Sequence, residues 1–215
     1  MFPKVKICCI ASEEEARMAI EAGASAIGLV ARMPSGPGPI PDERILQIAR
    51  SIPPPIASFM LTCETDSEAV VGHHLRTLTN TIQFVDAIGE GTYEKIRQAI
   101  PAVKLVQVVH VTGQGSVEEA LRLSEFVDAL LLDSGNPKAA VKELGGTGRT
   151  HDWRLSREIV EKSDIPVFLA GGLNAGNIRQ ALDQVAPYGV DLCSGVRTEG
   201  RLDPFKLESF FRAMV

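Results

Sequence analysis

Two kinds of side chain with opposite proton chemistry stand where apolar runs end. A thiol, Cys8 or Cys9, follows Val5-Lys6-Ile7, and Asp133 closes the run Ala129-Leu130-Leu131-Leu132. A thiolate takes a proton and a carboxylic acid gives one, so the two on opposite sides of a bound substrate suit proton shuttling. Each also has a packing reading. Cysteine is among the most buried residue types, and an aspartate at a strand end can close the next turn.

Glycine turns bring a second chemistry. Gly171-Gly172 follow the run 165–170, and Ser194-Gly195 follow 190–193. A turn without Cβ atoms lets backbone N–H groups approach a ligand closely. A helix just beyond adds orphan donors and a dipole that favour an anion such as phosphate. Asn174 is the expected cap of that helix. The plainer alternative is a strand–helix turn that needs glycine only for its shape.

Other candidates carry less. Gly145-Gly146-Thr147-Gly148 superficially resembles a phosphate loop, but Glu143 stands where the first glycine belongs and Arg149 replaces the lysine. Asp152 before Trp153 is either a helix cap or a site residue. His73 and His74 are adjacent on a helix and point apart, and neither His110 nor His151 belongs to an HxH or HExxH pattern. No metal is expected. Gln83, Asp86 and His110 complete the polar residues at strand ends.

The elements that must position these groups alternate. Strands are expected over 5–10, 24–30, 56–61, 81–85, 103–111, 129–133, within 165–170 and over 190–193. Between them the pattern gives helices: one capped by Ser12 with Glu15 and stopped by Gly23, one from Asp42 with Ile45, Ile48 and Ala49 on its apolar face, then 66–78 and 93–100. Ser116 with Glu119 reads as a second capping box, opening a helix to about Phe126. Further helices start at Asp152-Trp153, after Asn174 and at Pro204. Eight strand–helix units with continuously apolar strands predict an α/β fold, a single-domain (β/α)8 TIM barrel over residues 1–215. A doubly wound sheet is the alternative.

A chain of 215 residues with 45% hydrophobic and 23% charged residues suits one globular domain. Its net charge of −5 argues against a general nucleic-acid binder. No apolar run approaches the length of a membrane span. Cys8, Cys9, Cys63 and Cys193 form no CxxC pair, and the N-terminus carries no secretory pattern, so free thiols in the cytoplasm are expected.

Several of these pieces, in this order and spacing, resemble the phosphoribosylanthranilate isomerase family of tryptophan biosynthesis. They are Val5-Lys6-Ile7-Cys8, Gly145-Gly146-Thr147-Gly148 with Asp152-Trp153, Leu169-Ala170-Gly171-Gly172-Leu173-Asn174, and Tyr188-Gly189-Val190-Asp191 leading to Ser194-Gly195-Val196. The resemblance covers essentially the whole chain. It implies a TIM barrel that performs an Amadori rearrangement without a cofactor, on a small phosphorylated substrate, as a monomer or homodimer. It assigns Cys8 as general base and Asp133 as general acid. It places Arg32, Gln83, Gly146, Gly171, Gly172, Asn174, Ser194 and Gly195 on the substrate. Near neutrality such roles need Asp133 raised in pKa and Cys8 lowered.

The chain departs from the family pattern in four places. Cys9 stands where a glycine normally follows the catalytic cysteine. Gly38 takes the place of the arginine that meets the anthranilate carboxylate, with Arg32 the nearest substitute. Gln83-Phe84-Val85-Asp86 replaces a Gln-Leu-His-Gly signature, and Arg197 occupies a commonly acidic position. These changes cluster on the aromatic half of the substrate and keep two alternatives open. One is a paralogue isomerising another phosphorylated sugar amine; the other is a non-catalytic phosphate-binding barrel.

Overall fold

The computed structural model describes residues 3–135 and 150–215. Eight parallel strands close into a barrel: β1 (Lys4–Ile7), β2 (Ala26–Val30), β3 (Ala57–Thr62), β4 (Thr81–Phe84), β5 (Lys104–His110), β6 (Ala129–Asp133), β7 (Val167–Leu169) and β8 (Gly189–Leu192). Closure is made by β1, which pairs with β2 through Ile7↔Ile27 and with β8 through Ile7↔Leu192. The doubly wound alternative is thereby excluded.

Helices α1 (Glu13–Ala22), α2 (Asp42–Ser51), α3 (Ser67–Thr77), α4 (Glu90–Ala99), α5 (Gly115–Leu123), α6 (Trp153–Lys162), α7 (Ile178–Val185) and α8 (Pro204–Ala213) belong to the eight strand–helix units. Their ends follow local chemistry. Ser12 accepts from the Glu15 N–H and Gly23 ends α1 with φ 115°, a conformation that suits a residue without Cβ. Asp66 accepts two N–H groups at the start of α3, and Asp203 does the same for α8, with Pro204 in its first turn. Asp152 accepts from Arg154 N–H and caps α6, so its helix-cap reading holds.

Two expected caps do not form. Gln114 precedes α5, and Ser116 lies inside the first turn, where its hydroxyl donates to the His110 carbonyl and accepts from Thr112 N–H. The hydroxyl joins the β5 end to the helix instead of capping it. The N-cap of α7 is Asn177, three residues beyond Asn174.

Alternation along the strands separates two cores. Val5, Ile7, Ile27, Leu29, Ile82, Leu130 and Leu132 face outward and pack with Ile45, Ile48, Ile96, Ile159, Ile178 and Phe210 of the helices. Val30, Phe59, Leu61, Val106, Val108, Leu131 and Phe168 fill the barrel, where Phe59 and Phe168 meet edge to face at 6.2 Å. Gly189 accommodates this packing: a Cβ there would sit 2.6 Å from the Phe168 ring.

Burial lowers the pKa of His151, beside the α6 cap, from 6.5 to about 4, with Asp152 opposing the shift. A depressed histidine favours the neutral form in the fold, so the associated stability is present above pH 6.5 and lost as pH falls toward 4. The loss is on the order of 3 kcal/mol. Chemical denaturation across that window should show His151→Gln with a shallower decline than the parent. Equal slopes would remove His151 as the cause.

Candidate active site

A cleft opens at the C-terminal ends of the strands, the end of this fold where ligands are held. Its wall includes Cys8, Cys9, Gln83, Asp133, Gly171, Gly172, Asp191 and Ser194. The continuously apolar strands bring Cys8 and Asp133, from β1 and β6, to one end of the barrel.

Cys8 is buried just past β1, its N–H donating to the Leu192 carbonyl at 2.7 Å. Two residues earlier on the inward-facing row, Lys6 is 0% exposed. Its Nζ donates to Asp191 Oδ1 at 2.9 Å and lies 5.3 Å from the centre of the Phe59 ring. Burial pulls the Lys6 ammonium down, but Asp191 and the neighbouring sulfurs outweigh it and the net shift is upward, so the cation persists. Gly28 on β2 leaves room for this cluster, since a Cβ would stand 2.8 Å from Cys8 Sγ and 3.0 Å from Lys6 Nζ.

The Cys8 thiol is lowered from its ordinary value. A hydrogen bond from the Cys9 thiol contributes most; burial opposes it, and Lys6 adds to the lowering. Cys9 moves strongly up through its contacts with Cys193 and Cys8 and its own burial. Cys8 is therefore the more acidic thiol of the pair. Asp133 is 8% exposed, and burial raises its carboxyl despite a 2.7 Å hydrogen bond from Ser134 N–H and the nearby His110 and Lys6. The wall thus holds a thiol biased toward loss of its proton and a carboxyl biased toward keeping one, the directions that base and acid roles require.

Gly171 and Gly172 have φ 84° and 64°, which only glycine adopts without strain. Among the described residues, neither N–H donates to another protein group. Gly195 lies in the short 3-10 turn Ser194–Val196, packed so closely on the first turn that an added Cβ would land on the Leu173 carbonyl oxygen. Asn174 is exposed and holds the turn from behind. Its Oδ1 accepts from Gly176 N–H, and its Nδ2, like that of Asn177, donates to the Gly172 carbonyl. With α7 starting at Ile178, the turns themselves supply the nearest donors.

The remaining expected residues separate. Gln83 is buried in the wall, and its Oε1 has no partner among the described residues. Arg32 is exposed and stands outside the wall, its carbonyl accepting from Cys63 Sγ. Gly146 lies outside the described residues. The loop carrying Gly38 (φ 82°) rests on Cys9, where a Cβ at position 38 would come 2.7 Å from Cys9 Cβ. Cys9 itself has φ 62°, left-handed for a residue with a side chain, at a cost of roughly 1–2 kcal/mol.

Lys6 and Asp191 do not feature among the expected site residues. Reading β1 and β8 with a period of two finds them, because each is a charge two positions before a cysteine on an otherwise apolar inward row.

Fold and site together define a (β/α)8-barrel enzyme whose mouth is equipped for proton transfer beside a pair of glycine turns. The sequence profile of the N-(5'-phosphoribosyl)anthranilate (PRA) isomerases matches residues 5–213, and the chain belongs to that family. It is 37% identical over 209 residues to the N-(5'-phosphoribosyl)anthranilate isomerase of Desulforudis audaxviator, covering 97% of this chain and 96% of that one. It is 32% identical over 204 residues to the enzyme of that name from Methanocella arvoryzae, with 95% and 93% covered. Among solved structures, phosphoribosyl anthranilate isomerase from Thermotoga maritima superposes with a TM-score of 0.84 at 29% identity, over 99% of this chain and 98% of that one. A phosphoribosyl anthranilate isomerase in complex with reduced 1-(o-carboxyphenylamino)-1-deoxyribulose 5-phosphate gives 0.82 at 27%, over the same shares.

Proposed function

We propose that this chain converts N-(5'-phosphoribosyl)anthranilate into 1-(2-carboxyphenylamino)-1-deoxyribulose 5-phosphate, a step of tryptophan biosynthesis. The observation that carries the reading is the opposed bias of Cys8 and Asp133 in one cleft. Asp133 donates its proton to the ribose ring oxygen as the C1'–O4' bond opens and an imine forms. The Cys8 thiolate then removes the C2' proton, and the resulting enolamine tautomerises to the ketose.

Gly171, Gly172, Ser194 and Gly195 hold the phosphate through backbone N–H groups, with Asn174 fixing the first turn. Gln83 offers its free acceptor to a substrate hydroxyl or amine. Arg32 and Gly146 remain proposed contacts to the rest of the substrate. No cofactor or metal enters this scheme, and nucleic acid is not a partner. Among the described residues, no helix is long and apolar enough to cross a membrane. The barrel acts as one catalytic unit, as a monomer or homodimer, in the cytoplasm.

Freshly prepared N-(5'-phosphoribosyl)anthranilate tests the substrate, because its fluorescence is lost on conversion. The protein should deplete the signal catalytically and yield a product of unchanged mass, as an isomerisation requires, that separates from the substrate on chromatography. Phosphate-competitive binding without turnover would point to a binding barrel instead.

A further inference from the structure

Arg197 begins the short strand β9 (Arg197–Thr198), which pairs with β10 (Arg201–Leu202) just after the Ser194–Val196 turn. Its side chain runs back beneath the end of β1 and is largely buried. Nη2 donates to the Cys9 carbonyl at 2.6 Å and to the Cys8 carbonyl at 3.3 Å. Both terminal nitrogens meet the Glu15 carboxylate at 3.0 Å, and Nη1 also donates to the Gly200 carbonyl at 2.9 Å.

Glu15 carries the connection further, accepting from Ala11 N–H at 3.1 Å and Leu202 N–H at 2.9 Å. Burial raises the Glu15 carboxyl, but Arg197 and these backbone donors outweigh it, and the group is lowered and charged. One ion pair therefore joins the end of β1, the first turn of α1 and the β9–β10 hairpin.

The two carbonyls gathered by Arg197 belong to Cys8 and to left-handed Cys9. A left-handed residue turns the chain sharply, and the conformation persists where surrounding bonds over-determine it. A planar guanidinium meeting two carbonyls and a carboxylate at fixed angles is such a restraint; an ammonium has no equivalent fork.

We infer that Arg197, braced by Glu15, is a positioning residue that locks the Cys8–Cys9 peptide and so holds the Cys8 sulfur beside Lys6 and facing the substrate. The inference rests on the reading of Cys8 as the base. The charged and titratable groups around that sulfur are Lys6 on its own strand, Asp191 on β8, and the Cys9 thiol, itself in contact with Cys193. Asp133 lies across the cleft on β6. Arg197 acts through the backbone, so its loss should misplace the thiolate relative to Lys6 and to C2'.

The test uses the full chain with Arg197→Met, Arg197→Lys, Glu15→Gln and Cys8→Ala. Turnover is measured across pH, and Cys8 alkylation by iodoacetamide is followed against pH by peptide mass. Arg197→Met should lower kcat roughly tenfold to a hundredfold with KM within about threefold, as for a small misplacement of a reacting group. It should also move both the Cys8 limb of kcat/KM and the Cys8 alkylation curve toward alkaline pH. Arg197→Lys and Glu15→Gln should show the same shift in smaller measure.

A lower Tm with kcat and both pH curves unmoved would reduce Arg197 to a structural tie and overturn the inference. Should Arg197→Met fail to fold, unmoved curves in both conservative variants overturn it equally. Turnover that survives Cys8→Ala would defeat the underlying reading of the base instead.

Discussion

Asp133→Asn is expected to lower kcat roughly 10²–10⁴-fold while KM stays within about threefold, the signature of a lost general acid. The amide keeps the size of the carboxyl and can still accept from Ser134 N–H, now 2.7 Å from Oδ1. It has no acidic proton to deliver to a departing ring oxygen. Because Asp133 sits at the buried end of an apolar strand, removing its partial charge costs the fold little, and the variant should melt at or above the parent temperature. Cys8→Ala should fall by a comparable factor. The double variant should be hardly worse than either single one, since acid and base serve successive parts of one reaction. Full additivity of the two losses would argue against a shared sequence of steps.

Gly195→Ala is the second large expectation, and it acts through a different parameter. The new Cβ would land on the Leu173 carbonyl oxygen and come 3.1 Å from Asn174 Cβ, so the two glycine turns must separate. Overpacking of this kind costs the fold typically about 1–3 kcal/mol. Turns held apart no longer converge their N–H groups on one anion, so KM should rise roughly tenfold to a hundredfold, the loss of about 1.4–2.8 kcal/mol of binding. Inorganic phosphate should weaken as an inhibitor by a similar factor, while the pH dependence of kcat stays unchanged. A normal phosphate inhibition constant in a folded variant would place the anion elsewhere.

Much of this architecture is legible in the amino-acid sequence because strand interiors and turns obey local rules. Asp133 after three leucines and Gly171-Gly172 after an apolar run mark strand ends at the barrel mouth, and both stand there. The alternation of strands and capped helices likewise predicts eight units. What the sequence conceals depends on partners far away in the chain. Lys6 looks like an ordinary surface lysine until Asp191, 185 positions on, arrives beside it across the β1–β8 seam.

Glu15 shows the same limit from another side. As a capping-box residue it is visible locally, yet its carboxylate reaches Ala11 N–H and is mostly engaged by Arg197 and Leu202. Ser116 and Asn174 both have the residue type and spacing of caps, but groups a few residues away claim their side chains, the His110 carbonyl at a strand end and the Gly172 carbonyl in a glycine turn. Cys9 and Gly38 look like unrelated departures in sequence. In the fold they touch: the chain at 38 passes so near Cys9 that glycine fits and a larger residue does not.

The pH dependence of kcat/KM, measured for the parent chain and for Asp133→Asn, tests the central assignment most directly. A base must be deprotonated and an acid protonated, so the parent should give a bell with one limb set by Cys8 and the other by Asp133. The Cys8 limb should fall below the ordinary thiol range, because Cys9 and Lys6 favour the Cys8 thiolate. The Asp133 limb should lie above the ordinary carboxylate range, because burial favours the protonated Asp133. In Asp133→Asn the Asp133 limb should vanish while the Cys8 limb of the residual activity remains. An unchanged bell in that variant would contradict the assignment of Asp133 as the acid.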